Sequence, residues 1–148
     1  MFELLEAGRQ LRPEEQEVRL KGADIVSAED FPAYYADNLA ARLSAAGRYD
    51  VAEELFRMSL GMSPSVKRIH FNFGTFLVDR DRSAEALPYL ETAARGRKGL
   101  AEADLNRGVA LSKLGRTAEA RKAFERCLRR EPKNLMALEN LRRLDRNP

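Results

Sequence analysis

The chain has 148 residues, 33% of them charged and 44% hydrophobic, and a formal net charge of +3. That composition belongs to one folded domain, excludes a disordered chain, and contains no apolar run long enough for a transmembrane helix. A single cysteine excludes an internal disulfide, and the opening Met1-Phe-Glu-Leu-Leu-Glu lacks the basic-then-apolar layout of a signal segment, so residence in the cytoplasm is expected.

The charge is uneven. Residues 1–94 hold 11 basic and 16 acidic side chains, whereas residues 95–148 hold 15 and 7. Such a split can steer an acidic partner or favour head-to-tail contact between copies, and it is also what an ordinary solvated surface can carry.

In chain order, residues 1–32 read as an N-terminal helical capping segment. Phe2–Leu11 suits a short helix. Pro13 followed by Glu14, Glu15 and Glu17 suits a second helix start, because proline and carboxylates both favour a helix N-terminus. Leu4, Leu11, Val18 and Ile25 recur at seven-residue steps and predict one apolar stripe. Ser27 to Pro32 reads as a connection.

From residue 33 the sequence repeats itself every 34 residues. Ala40, Gly74 and Gly108 form one column, Leu43, Leu77 and Leu111 a second, Ala52, Ala86 and Ala120 a third, and Phe56, Leu90 and Phe124 a fourth. Gly47 and Gly115 mark one turn, and Pro64 and Pro132 another. The columns have a physical reading. Two antiparallel helices at close range need small residues where their backbones approach and bulk beside them, and a closing proline cannot continue a helix.

The predicted helices are 33–46 and 49–60 in the first unit, 67–80 and 84–95 in the second, and 100–114 and 118–130 in the third. Ser83 and Thr117 are placed to cap the second helices of the last two units, with Glu85 and Glu119 in the first turns. Gly96-Arg97-Lys98-Gly99 joins the second unit to the third without the closing proline, which predicts a pliable joint. Arg107 stands where Leu39 and Phe73 stand in the other units, and is expected to lay its stem on apolar surface with its head in water. Residues 135–148, with Leu138, Leu141 and Leu144 on one side, predict a C-terminal capping helix.

The period and these residue types resemble the tetratricopeptide repeat, a helix–turn–helix unit that stacks into a superhelix. The resemblance covers residues 33–134 and implies an all-α fold: an α-solenoid of three tandem repeats, 33–66, 67–100 and 101–134, between the N-terminal segment and the C-terminal cap. It also implies a protein–protein interaction module, a scaffold or adaptor without catalysis or cofactor. In the family, first helices line a concave face that takes a peptide or partner segment.

On that face Asn38, Asn72 and Asn106 recur at one position. A primary amide offers both a donor and an acceptor, so it can pair with an extended backbone of any sequence, or tie neighbouring helices together. Around them the predicted groove carries Asp37, then Arg68, Phe71 and Thr75, then Glu102, Leu105, Val109 and Lys113. Its apolar centre, Phe71, Leu105 and Val109, suits a segment with one or two apolar anchors. One subgroup of the family grips the C-terminal carboxylate of chaperones with a basic clamp. Here the clamp positions hold Asp37, Ala41, Glu102 and Asn106, and only Asn72 agrees, so binding of a chaperone tail is rejected.

A second candidate site is the basic outer patch Arg121, Lys122, Arg126, Arg129 and Arg130. It could meet an anionic polymer or a membrane surface. Without interleaved aromatics for base stacking, nucleic acid is not favoured. A third reading is self-association into a homo-oligomeric scaffold through the oppositely charged ends or the N-terminal arm.

No catalytic constellation is present. The single histidine, His70, stands on a first helix where the family packs a large aromatic, and no second histidine or cysteine lies at metal-ligand spacing. The 96–99 loop has neither the glycines nor the Lys-Ser/Thr of a phosphate loop. Cys127 reads as a small buried hydrophobe.

Overall fold

The computed structural model describes residues 29–146. Most of the expected N-terminal segment, including both of its helices and its apolar stripe, lies outside the described residues. The helices are α1 (Phe31–Ala45), α2 (Tyr49–Met62), α3 (Lys67–Asp79), α4 (Ser83–Ala94), α5 (Ala101–Lys113), α6 (Thr117–Arg130) and α7 (Leu135–Arg146). They follow the predicted boundaries closely. The main shift is at α1, which starts at Phe31 because Pro32 sits in its first turn. There the missing N–H has no helical partner to lose, so proline begins the helix where a connection was expected.

The chain divides into two compact units, Met1–Ser65 and Val66–Pro148. In the first, α1 packs on α2, and Ser59 Oγ donates to the Ala33 carbonyl at 2.7 Å. In the second, α3 packs on α4, α4 on α5, α5 on α6 and α6 on α7. The glycine columns explain the close approach. A Cβ at Gly74 would lie 2.7 Å from Leu90 Cγ, and one at Gly108 would lie 2.4 Å from Phe124 Cε1. Phe73, Leu77, Leu90, Leu111 and Phe124 fill the space beside these contacts and are buried.

Each pair turns the same way. The N–H of Arg48, Arg82 and Arg116 donates to the carbonyl of Leu43, Leu77 and Leu111, at 2.8, 2.8 and 2.9 Å. The residue before each arginine is left-handed: Gly47 with φ 77°, Asp81 with φ 59° and Gly115 with φ 71°. This is the Schellman ending of a helix, and aspartate is among the few side chains that tolerate the position.

Ser83 and Thr117 do not cap. Each is the first residue of its helix, and neither α4 nor α6 has a side-chain cap bond. The preceding arginines act instead. Arg82 forks onto both oxygens of Glu85, and Arg116 onto both oxygens of Glu119, with all four contacts at 2.7 Å. Ser83 is buried and its Oγ has no hydrogen-bond partner. Ser83→Ala is therefore expected to stabilise the protein by about 0.5–2 kcal/mol, since it removes a desolvated hydroxyl and raises helix propensity. A urea midpoint that falls would contradict that assignment.

The joint between α4 and α5 is held more firmly than its sequence implies. Arg130 Nη2 donates to the carbonyls of Ala94 and Gly96 at 3.0 and 2.8 Å, and Lys67 Nζ donates to the Arg95 carbonyl. Gly99 admits this packing, because a Cβ there would lie 2.0 Å from the Ala94 oxygen.

Candidate functional site

Within the second unit, α3 and α5 lie side by side and bring several predicted groove residues together. At one end the Arg68 guanidinium sits 5.3 Å over the Phe71 ring and 3.8 Å from Glu102. In the middle Asn106 Nδ2 donates to Thr75 Oγ1 at 2.8 Å. At the other end Lys113 Nζ reaches the Val78 carbonyl at 3.2 Å and Asp81 Oδ1 at 2.7 Å, and this pairing holds the Asp81 carboxyl below its usual range. Phe71, Leu105 and Val109 are half-buried. Each leans on a core cluster, Phe71 against Ala93, Ala94 and Ala103, the other two against the cluster built around Phe124. The centre of this face is therefore apolar and rigidly backed, with charged pairs at its ends.

The recurring asparagines do different jobs. Asn106 ties α5 to α3 through Thr75. The counterparts of Thr75 are Ala41 and Val109, which offer no side-chain acceptor, so that bond is particular to one pair. Asn38, in the first unit, is exposed and donates to the Tyr34 carbonyl of its own helix at 2.9 Å. Asn72 is half-buried on α3. A fourth asparagine was missed. Asn140 on α7 stands 34 residues after Asn106 and donates to the Met136 carbonyl at 2.8 Å, as Asn38 does one helix turn back. Extending the period past the closing proline would have found it. α7 is thus in register as a first helix, with Ala137 buried where Ala103 is buried. Arg142, exposed, occupies its glycine column.

Asp37, expected to line the groove, is buried on α1. It is 1% exposed and lies on the stripe Ala33, Ala36, Asp37, Ala40 that faces the core of the first unit. That stripe follows the i, i+3, i+4, i+7 spacing of a buried helix face, and the column comparison with Phe71 and Leu105 hides it.

Three cations of the basic outer patch are paired, two of them on one carboxylate, so the patch keeps a net positive charge. Arg126 Nε donates to Asp104 Oδ1 at 2.7 Å, and Arg130 Nη1 donates to Asp104 Oδ2. Arg121 pairs with Asp145 of α7 at 2.6 Å. Only Lys122 and Arg129 of the five are exposed residues outside these pairs. Asp104 itself is 0% exposed, and burial raises its carboxyl against the downward pull of Arg126 and Arg130. It is a residue that sequence reading overlooked. Its signal was an acid in the column that holds Ala36 and His70, with two arginines four residues apart on the following helix. Cys127 is fully buried, and desolvation pushes its thiol up to about 11, so it stays protonated near neutral pH. Among the described residues no helix is long and apolar enough to cross a membrane.

Antiparallel helix pairs in 34-residue register, with glycine-to-bulky contacts inside the second and third pairs, define an all-α repeat protein of the solenoid class. The chain belongs to the tetratricopeptide repeat family: one model of that repeat matches residues 38–101 and another residues 105–134, together well over half of the sequence. Its fold is that of solved tetratricopeptide repeat domains. The first such domain of Spaghetti (RPAP3) bound to an HSP90 peptide is 24% identical, with a TM-score of 0.73 over 77% of this chain and 90% of that one. The second such domain of human RPAP3 with an HSP70 peptide gives 22% identity and a TM-score of 0.71 over 76% and 94%. The Yersinia enterocolitica secretion chaperone SycD with a peptide of the translocator YopD gives 13% and 0.68 over 76% and 91%. No curated protein sequence matches the chain.

Proposed function

We propose that this protein is a non-catalytic interaction module that binds a segment of a partner protein along the first-helix face. The observation that carries the reading is the rigidly backed apolar centre Phe71, Leu105 and Val109, flanked by Arg68–Glu102 and Asp81–Lys113 and by amides in 34-residue register. The peptide complexes of the similar folds support it, since the same architecture takes peptides of different sequence. The partner segment offers one or two apolar side chains to the centre. It does not end in a clamped carboxylate, because Glu102 and Asn106 stand where the clamp has cations. In the same reading the face extends onto α7 through Met136, Asn140 and Arg143.

The test is a selection from a random peptide library on the wild-type protein, followed by binding to Val109→Arg. Arginine occurs at the matching position of α7, Arg143, and circular dichroism checks that Val109→Arg keeps the wild-type helicity. Selected peptides are expected to bind Val109→Arg at least about tenfold more weakly, a loss of about 1.4 kcal/mol. They should bind Lys122→Glu, Arg129→Glu normally. Equal binding to Val109→Arg would overturn the groove reading, and loss with the outer variant would move the interface to α6. A molecular mass that rises with concentration and falls with salt would support self-assembly instead.

A further inference from the structure

At the elbow between α4 and α5 lies an open cleft of about 290 Å³, lined by Glu91, Ala94, Arg95, Gly96, Arg126 and Arg130. That is at the low end of small-ligand sites, ~300–1,000 Å³. Its cations differ from those of an ordinary basic surface. Arg126 and Arg130 are both anchored on the buried carboxylate of Asp104, so their guanidinium planes are set before any ligand arrives. Arg126 spends its Nε–H on that anchor, which leaves its Nη donors for the cleft it lines. The second terminal nitrogen of Arg130 occupies the carbonyls of Ala94 and Gly96. Those oxygens lie at the negative end of α4, and Arg130 offsets the repulsion they would exert on an anion. Gly99 keeps the guanidinium close, since a Cβ there would lie 2.8 Å from Arg130 Nη2. Three arginines face one buried and one exposed carboxylate, Asp104 and Glu91, so the site carries a net positive charge.

We propose that this cleft binds a phosphate group, independently of the peptide face. A phosphate brings about −1.5 to −2 charges and three acceptor oxygens to converging guanidinium groups, the geometry in which arginine outperforms lysine. A carboxylate brings a single charge and is already represented in the lining by Glu91. The phosphate comes either as the free ion or on a phosphorylated side chain of a protein.

The test is an NMR titration of the arginine Nε–H signals with inorganic phosphate and, separately, with a short phosphoserine peptide, against sodium chloride at matched ionic strength. The Arg95 and Arg126 signals are expected to shift saturably with phosphate and not with chloride. Because Arg126 also holds Asp104, the decisive variants are Glu91→Gln and Arg95→Met, which break no bond of the anchored cluster. Removing the Glu91 charge is expected to tighten phosphate about three- to tenfold, and removing Arg95 to weaken it by a similar factor. A folding defect would not tighten binding. Tenfold stronger binding of the phosphopeptide assigns the site to a phosphorylated partner, and equal or weaker binding assigns it to the free ion. Linear shifts that chloride reproduces, or affinities indifferent to both variants, overturn the proposal.

Discussion

Gly108→Ala is expected to destabilise the wild-type protein and to be neutral or stabilising once Phe124 is gone. The added Cβ would lie 2.4 Å from Phe124 Cε1 and 2.8 Å from its Cζ, so the ring or the helix must move. Overpacking of this kind costs about 1–3 kcal/mol, beyond the ~1 kcal/mol that alanine gains over glycine in a helix. Phe124→Ala alone removes a ring that is 0% exposed and is expected to cost about 3–5 kcal/mol. In the double variant the methyl enters the space the ring has left, the clash disappears and the propensity gain stands. The two substitutions are therefore strongly non-additive. Urea unfolding of the four proteins checks it. Simple addition of the two single-variant losses would mean that α5 and α6 do not meet at this pair. The same substitution at Gly74 should be milder, because the atoms it meets belong to Leu90, whose side chain can shift more readily than a ring.

Arg130→Met should cost roughly 3 kcal/mol near neutral pH. It leaves Asp104 buried with one cation in place of two and frees the carbonyls of Ala94 and Gly96 from their donor. Removing one partner of a buried ion pair costs about 3–5 kcal/mol, and the remaining Arg126 and the part-exposed rim place this case at the lower end. The loss has a pH signature. Burial already raises the Asp104 carboxyl above its ordinary value, and without Arg130 it rises further. The folded state then holds a proton that the unfolded chain, at about 3.9, has released. Stability therefore increases as pH falls through the raised folded value toward the unfolded one, and the gap between Arg130→Met and wild type narrows. Denaturant midpoints at neutral and mildly acidic pH measure it. A gap that is constant across that range would mean that Asp104 stays ionised without its partner.

These two residue groups also show where sequence reading reached and where it stopped. The glycine, alanine and phenylalanine columns were legible because helix pairing depends on side-chain size at fixed spacing, and Gly74, Gly108, Leu90 and Phe124 meet as their columns imply. Two of the turns were legible because glycine takes positive φ readily, at Gly47 and Gly115, whereas the left-handed Asp81 of the second pair emerged only from the backbone. The N-caps were not. Ser83 and Thr117 have the residue types of caps, yet the chain enters each helix one residue earlier, and an Arg–Glu fork supplies the local bond.

The site divides along the same line. Residues on α3 and α5 fell together because a 34-residue step returns a side chain to the same helix face. What each polar group does on that face was not legible. Asn106 and Asn140 share a column, yet one ties two helices and the other bonds its own, since a hydrogen bond depends on which acceptor the neighbouring helix presents. Arg126 and Arg130 read as outward cations from composition and helical phase. Their long side chains bend back across a helix–helix seam to a single buried aspartate.

The sequence by itself therefore determined the repeat, its period, the pairing of helices and the family, because these follow from local periodicity and side-chain volume. Only the tertiary structure decided which charges are spent inside the protein and which face outward. Burial raises the energetic weight of a charge many-fold, and burial is set by neighbours that lie far away along the chain.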